Sequence, residues 1–274
     1  MITISMWDSR RRSVAFLLCA AALLAGCSSA STTRLGAKPD RVAAFSLSQL
    51  GEPHPLEWQP WVFSRFNRRT DYRVIEMDGR RVLRAQAQTA ASGLLQEIEI
   101  DPLVSRHLKW HWSVPQLLPE ADLSKKGSDD SPVRMIVSFD GDLAKLDVED
   151  RAMAGMVKMV SGREMPYATL MYVWSNNSAV GDVIRNPRTD RIRKIVLEAG
   201  PQSLGRWREY ERDIRADYER AFGEPPGALI GVALMTDSDN TRSMAKAWYG
   251  AVRVQAASAS PARRPARQMG QSSP

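Results

Sequence analysis

The chain is poor in cysteine. Its 274 residues contain two, Cys19 and Cys27, and none follows position 27. A folded body without cysteine has no disulfides, no thiolate nucleophile, no thiolate metal site and no thiol redox chemistry, so an apolar core must hold it together. A long hydrophobic run is missing too: the stretch from Val14 to Leu24 falls short of the roughly 20 residues that cross a bilayer as a helix. Histidine is limited to three residues, and no Gly-x-Ser-x-Gly elbow, phosphate loop or dinucleotide glycine fingerprint occurs. Strong charge is also absent from the body. The whole chain carries +7; removal of residues 1–26 lowers this to +5, and Arg263, Arg264 and Arg267 near the C-terminus leave about +2 on the rest. So small and dispersed a charge argues against nucleic acid as a partner.

What is present begins with Leu24-Ala25-Gly26-Cys27. Arg10, Arg11 and Arg12 precede the apolar stretch, so residues 1–26 have the three parts of an export signal. The small-residue box resembles the bacterial lipoprotein signal, in which the cysteine is acylated and becomes the first residue of the mature chain. That resemblance implies lipidation at Cys27, and Ser28 after it, rather than aspartate, resembles the lipoproteins forwarded to the outer membrane. The expectation is a cell-envelope protein, anchored to the membrane through Cys27 and facing the periplasm. A cleaved signal with an incidental cysteine is the alternative.

Residues 27–40 are small and polar and read as a lipidated flexible tether. From 257 to 274 the run Ala-Ser-Ala-Ser-Pro-Ala-Arg-Arg-Pro reads as a disordered tail. Between them no linker or repeat interrupts residues 41–256, which read as one domain.

Its pattern is mainly that of strands. Tyr72–Met77 and Arg80–Ala87 flank Asp78-Gly79, a pair suited to the positive φ of a hairpin turn. Period-two alternation turns Leu94, Ile98 and Ile100 inward, and likewise Met135, Val137 and Phe139, with Arg134 and Ser138 outside. Leu229–Met235 is apolar throughout, as in a central strand. Trp248, Gly250, Val252 and Val254 are expected inside, with Tyr249 and Arg253 facing out. Further strands are expected at 107–113, 167–174, 192–198 and 206–212. Residues 143–160 repeat Leu146, Met153, Met156, Val157 and Val160 at helical spacing, predicting a helix whose methionines fill core gaps. Asp213–Phe222, ending before Gly223, predicts a second short helix. The fold class expected is an antiparallel β-sandwich of jelly-roll type with one or two short helices.

Four motifs then stand out: Trp110-His111-Trp112, Gly127-Ser128-Asp129-Asp130-Ser131-Pro132-Val133-Arg134, Tyr172-Val173-Trp174, and Asp237-Ser238-Asp239-Asn240-Thr241. In this order and spacing they resemble a bacterial envelope family, domain of unknown function 3047, over roughly residues 42–254. The resemblance implies fold and neighbourhood but no reaction. Its general look is similar to carbohydrate-binding sandwiches, by fold-level analogy.

Asp129 and Asp130 precede one strand while Asp237, Asp239 and Asn240 follow another, so loops present both groups. Meeting at one end of a sandwich, Asp129, Asp130, Asp237 and Asp239 would suit a hard cation such as calcium. Asp237 does not open an EF-hand loop, because Arg242 and Trp248 stand at its glycine and glutamate positions. The alternatives are turn capping, ion pairing with Arg134, or acid and base work on a glycosidic bond. Indole faces stack on sugar rings. Trp110 and Trp112 share a strand face suited to the core, while Trp174 ends a strand beside Ser175-Asn176-Asn177 and is the candidate for a ligand. His107, Lys109 and His111 alternate along a strand and read as a solvated face rather than a zinc site.

Together these residues predict binding of a glycan or other envelope ligand at Asp129, Asp130, Arg134, Trp174, Asp237, Asp239 and Asn240, with no cofactor unless calcium. The alternatives are a polysaccharide hydrolase or lyase using the aspartate pairs, and a structural or protein-binding lipoprotein. Whether the protein is an enzyme, its ligand and its oligomeric state stay open at this point.

Overall fold

Asp78 and Gly79 take positive φ, 51° and 70°, in the computed structural model of the protein, which describes residues 38–64 and 66–256. The predicted signal at 1–26, Cys27, most of the tether and the tail at 257–274 lie outside the described residues. The chain forms β1 (Gln59–Trp61), β2 (Asp71–Met77), β3 (Arg80–Gln88), β4 (Ala91–Ile100), β5 (Ser105–Ser113) and β6 (Arg134–Phe139) before its first helix, α1 (Val148–Ser161). Then follow β7 (Ala168–Ser175), β8 (Val183–Asn186), β9 (Thr189–Ala199), β10 (Trp207–Asp213), α2 (Ile214–Phe222), β11 (Leu229–Asp237), β12 (Met244–Tyr249) and β13 (Arg253–Ala256).

Two sheets result. One has seven strands in the order β1-β4-β11-β6-β7-β9-β8; the other runs β10-β5-β12-β3-β2, with β13 also paired to β5. Every strand pair is antiparallel apart from β7–β9, which is parallel. The expected β-sandwich is therefore present, with one parallel pair that alternation along single strands does not reveal.

The layers meet through alternate residues. Met135, Val137 and Phe139 of β6 and Leu170, Tyr172 and Trp174 of β7 pack with Leu83 and Ala85 of β3, Trp110 and Trp112 of β5, and Ala247 and Tyr249 of β12 in one core. Trp110 lies between Tyr172 across the layer and Tyr210 of β10, at centroid distances of 5.0 and 5.2 Å. Among the described residues, the buried hydrophobic side chains of this core run from Ala43 to Val252.

Three expectations about facing are corrected. Tyr249 points inward and is fully buried, while Trp248 is half-buried on the outer side. The tyrosine hydroxyl explains the choice: it donates to the Met235 carbonyl at 2.6 Å and pairs with Thr236 Oγ1 at 2.8 Å, partners an indole in that place does not meet. The strand also breaks after Tyr249. Gly250 donates to the His111 carbonyl, and a Cβ there would overlap the His111 ring. Second, Arg134 and Ser138 point to the outer side of the seven-stranded sheet but are buried, because other parts of the chain cover that side. Trp61 and Phe63 pack there against Ala91, Ile136, Ala233 and Met235, and Leu123 from the β5–β6 connection packs on Val173 and Val196.

Third, α1 does not bury its methionines as predicted. Asp147 caps its first turn by accepting from the Asp150 amide, and Gly162 ends it at φ 71°. Asp150 is the one buried residue of the helix and accepts from the Thr189 hydroxyl on β9. Just beyond the other end, Arg163 pairs with Glu97 of β4 at 3.1 Å. From β9 to β4 is four strand spacings, about 19 Å, and 14 helical residues span about 21 Å, so α1 lies across the sheet. Its inner side touches the sheet, while Val148, Met156, Met159 and Val160 are exposed.

Removing the Tyr249 hydroxyl strips three buried groups of a partner: the Met235 carbonyl, Thr236 Oγ1 and the Arg134 amide. Tyr249→Phe is expected to lower the free energy of unfolding by about 1–3 kcal/mol in urea titrations, without change in secondary structure by circular dichroism.

Candidate functional site

The two acidic motifs do meet. Arg134 opens β6 and Met235 of β11 lies opposite it in the ladder, so Asp237, two residues on, shares its face. Lys194 of β9 reaches the same face, since it pairs with Met171, which pairs with Ile136 two residues beyond Arg134. Over these side chains lies the β5–β6 connection that carries Asp129 and Asp130.

Arg134 is the centre of the cluster. Its Nε and Nη2 each donate to Asp237 at 2.9 Å, and Nη2 also donates to the Asp129 carboxylate at 3.1 Å and carbonyl at 2.9 Å. Lys194 Nζ closes the quartet, 2.6 Å from Asp129 Oδ2 and 2.8 Å from the Leu123 carbonyl. Two carboxylates thus face two cations, all four buried. Burial pulls the Asp129 pKa upward, but the charges of Arg134 and Lys194 outweigh it and hold Asp129 below the usual carboxylate range. Burial lowers the Arg134 guanidinium pKa, yet Asp237 and Asp129 together raise it. Lys194 is pushed down to about 8, by burial first and then by the neighbouring Arg134 charge. Burial pushes Asp237 up to about 6 against the pull of Arg134.

Asp130 works separately. Its Oδ1 accepts from Asn240 N and Nδ2, and its Oδ2 accepts from Thr241 N and Oγ1, both at 2.7 Å. It therefore caps the turn after β11, the turn in which Arg242 takes φ 52°. Asp239 is half-buried, accepts from Asn67 Nδ2 at 3.2 Å, and has its pKa raised by burial and by the Asp130 charge.

These contacts decide between the alternatives for the acidic motifs. Capping and ion pairing account for Asp129, Asp130, Arg134, Asp237 and Asn240, and buried carboxylates already bonded to a guanidinium or a turn are not placed to flank a glycosidic bond. Trp174 is corrected outright. It is 1% exposed, donates from Nε1 to the Gly200 carbonyl at 3.0 Å, and offers no face to a ligand. For calcium, Asp130, Asp237 and Asp239 bring oxygens within 4.8 Å of one another, whereas Asp129 turns toward Lys194. Both oxygens of Asp130 and of Asp237 are already hydrogen-bonded, and Arg134 supplies the positive charge a cation would bring.

A different surface presents aromatic rings to solvent, the outer side of the six-stranded sheet. Trp207 of β10 and Trp248 of β12 both lie opposite Ser113 of β5, so the three residues share that side in neighbouring strands. Their backbones stand about 9.6 Å apart, two strand spacings. Trp207 is 36% exposed, and its ring meets His111 edge-on at 5.1 Å. Lys246 Nζ lies 4.9 Å from the Trp248 ring centre. Two open grooves border the row, each near 600 Å³. Arg68, Arg69, Gln86 and Lys246 contribute to one; Arg80, His111, Glu209 and Arg253 contribute to the other. Arg68, Arg69, Arg80, Lys246 and Arg253 make no salt bridge among the described residues, while Asp71 is taken by Arg73 and Arg84 and Glu211 by His107 and Lys109. Burial, with Arg80 and Arg253 behind it against Glu209, lowers the His111 pKa.

Inverting the phase of 248–254 hid this row. Ala245 and Ala247 were the available signal: small residues fit between tightly packed layers, which fixes Trp248 and Lys246 on the other side.

The family model described as "Protein of unknown function (DUF3047)" matches residues 56–253. The chain belongs to this family. The matched span takes in β1 to β12 and every residue of the ion-pair cluster. No curated protein matches the chain. Among solved structures, it is similar to the K1 cleaved adhesin domain of Lys-gingipain from Porphyromonas gingivalis W83, at 10% identity and a TM-score of 0.33, over 80% of this chain and 99% of that one. Nothing about fold or ligand follows from a likeness at that score.

Two outcomes test the cluster. The folded protein keeps the Asp237 proton up to about pH 6, whereas an unfolded chain releases it near 3.8. Between those values the folded state binds more protons, so this group's contribution is fully present below 3.8 and fades as pH rises through 6. Denaturation between pH 4 and 7 should show this loss, on the order of 2–3 kcal/mol, and Asp237→Asn should remove that slope. Second, about 10 mM calcium, or EDTA, should leave Tm within about 1 °C; a clear calcium-dependent rise would make the three aspartates a cation site instead.

Proposed function

We propose that this protein is a lipid-anchored binding module of the cell envelope that takes an acidic glycan on the outer side of its six-stranded sheet. The observation that carries the reading is the row Trp207–His111–Trp248 beside five cations without salt bridges. Indole faces stack on the apolar C–H side of sugar rings. Unpaired Arg68, Arg69, Arg80, Lys246 and Arg253 supply partners for carboxylate or phosphate groups along the polymer, and arginine does so in bidentate fashion. An extended open sheet suits a chain-like ligand better than a small enclosed one, which seeks a deep cleft. The lipoprotein-type box at Cys27 supports the anchor.

Calorimetry with alginate, an acidic polysaccharide, and dextran, a neutral one, tests the reading. Alginate is expected to bind, more weakly as salt rises, and Trp207→Ala with Trp248→Ala is expected to lose at least about tenfold in affinity, or 1.4 kcal/mol. Equal affinity for dextran, or a double variant that binds like the parent, would count against it. Labelled palmitate that fails to enter the protein, or enters Cys27→Ser equally, would remove the anchor.

A further inference from the structure

Helix α1 carries a run of exposed apolar side chains. Val148, Met156, Met159 and Val160 are 73%, 57%, 81% and 61% exposed, and Leu143, just before the helix, is 52% exposed. Their spacing puts Val148, Met156 and Met159, with Ala152, on the side of the helix away from Asp150, the residue that faces the sheet, and Val160 on its flank. A continuous apolar stripe of this kind on a soluble body marks a contact surface.

We propose that this stripe lies on the lipid bilayer, making α1 an interfacial helix that fixes the orientation of the domain on the membrane. Where the chain enters the domain points to that occupant. Lys38, the first described residue, pairs with Glu97 Oε2 at 3.5 Å, and Arg163, immediately past α1, pairs with the other oxygen of the same carboxylate at 3.1 Å. The segment leading back to Cys27 therefore enters beside the C-terminal end of α1. Ten residues lie between Cys27 and Lys38, eleven Cα–Cα steps with a reach of at most about 40 Å, so a domain tethered there is held with this corner near the bilayer. Residues 143–164 carry four positive and four negative side chains. The attraction is thus apolar rather than electrostatic and should resist salt.

One consequence concerns the glycan surface. α1 covers the seven-stranded sheet on its outer side, and the Trp207–Trp248 row lies on the outer side of the other sheet. A domain resting on α1 turns that row away from the bilayer.

The inference rests on the anchored reading only for where the membrane lies, and the test does without the anchor. The chain beginning at Ser28 lacks Cys27 and retains every core residue named above. It is expected to float with vesicles of phosphatidylethanolamine and phosphatidylglycerol equally at about 0.15 and 0.5 M salt. Met156→Asp with Met159→Asp should reduce flotation at least tenfold while Tm stays unchanged, and Met159→Lys should do so in part. Flotation that is absent, or unchanged in the variants, overturns the proposal. So does a dimer that Met159→Asp splits while vesicles are ignored, because the stripe would then bind a second copy. A negative palmitate result leaves each of these outcomes as informative as before.

Discussion

The Arg134 guanidinium holds together parts of the chain that have no other reason to meet. It joins Asp237, at the end of one central strand, to Asp129, in the long connection between the sheets, across 103 and 5 residues respectively. Taking four charged groups out of water is unfavourable, and their mutual attraction offsets this only when the geometry is good and the remaining polar atoms are satisfied. Here they are satisfied: Ser131 N, Asn240 and the Leu123 carbonyl occupy the sites that the four charges leave. Such an arrangement contributes little net stability over a well-packed apolar one, but it tolerates few alternatives. Its effect is to fix where residues 121–131 lie.

That placement decides which faces of the sandwich are open. The connection, the Trp61–Phe63 segment and α1 together cover the outer side of the seven-stranded sheet. Among the described residues, the six-stranded sheet has no such cover. Its outer side carries charged pairs along β5 and β10, and cations beside β12 that make no salt bridge among the described residues. The acidic motifs and the Trp207–Trp248 row are therefore on opposite sides of the sandwich.

Much of the sandwich was legible. Period two located most strands, and Asp78-Gly79 fixed the first hairpin because few other pairs take two positive φ values. The meeting of Asp129 and Asp130 with Asp237 and Asp239 was also within reach, since each group borders a strand and those strands prove to be neighbours. What such groups do there was not legible, because it depends on Lys194, which lies 65 residues from Asp129. Trp248 and Tyr249 show a second limit. Adjacent aromatics must face opposite ways, and hydrophobicity ranks the indole as the inner one, whereas the buried Met235 carbonyl selects the hydroxyl. The helical spacing of Met156 and Val160 identified α1 correctly, but an apolar stripe reads alike whether it meets a sheet, a second protein or lipid.

The order of strands also sets when the fold can form. β11 lies between β4 and β6, joining residues such as Leu95 and Ala233 that are 138 positions apart. A chain made or exported from its N-terminus thus emerges with the middle of its larger sheet missing, until about the last sixth of it is free. Until then β4 and β6 present open, apolar edges that invite pairing with other chains. Folding dominated by such distant pairings is slow, so the nascent protein spends its most aggregation-prone interval waiting for a single segment.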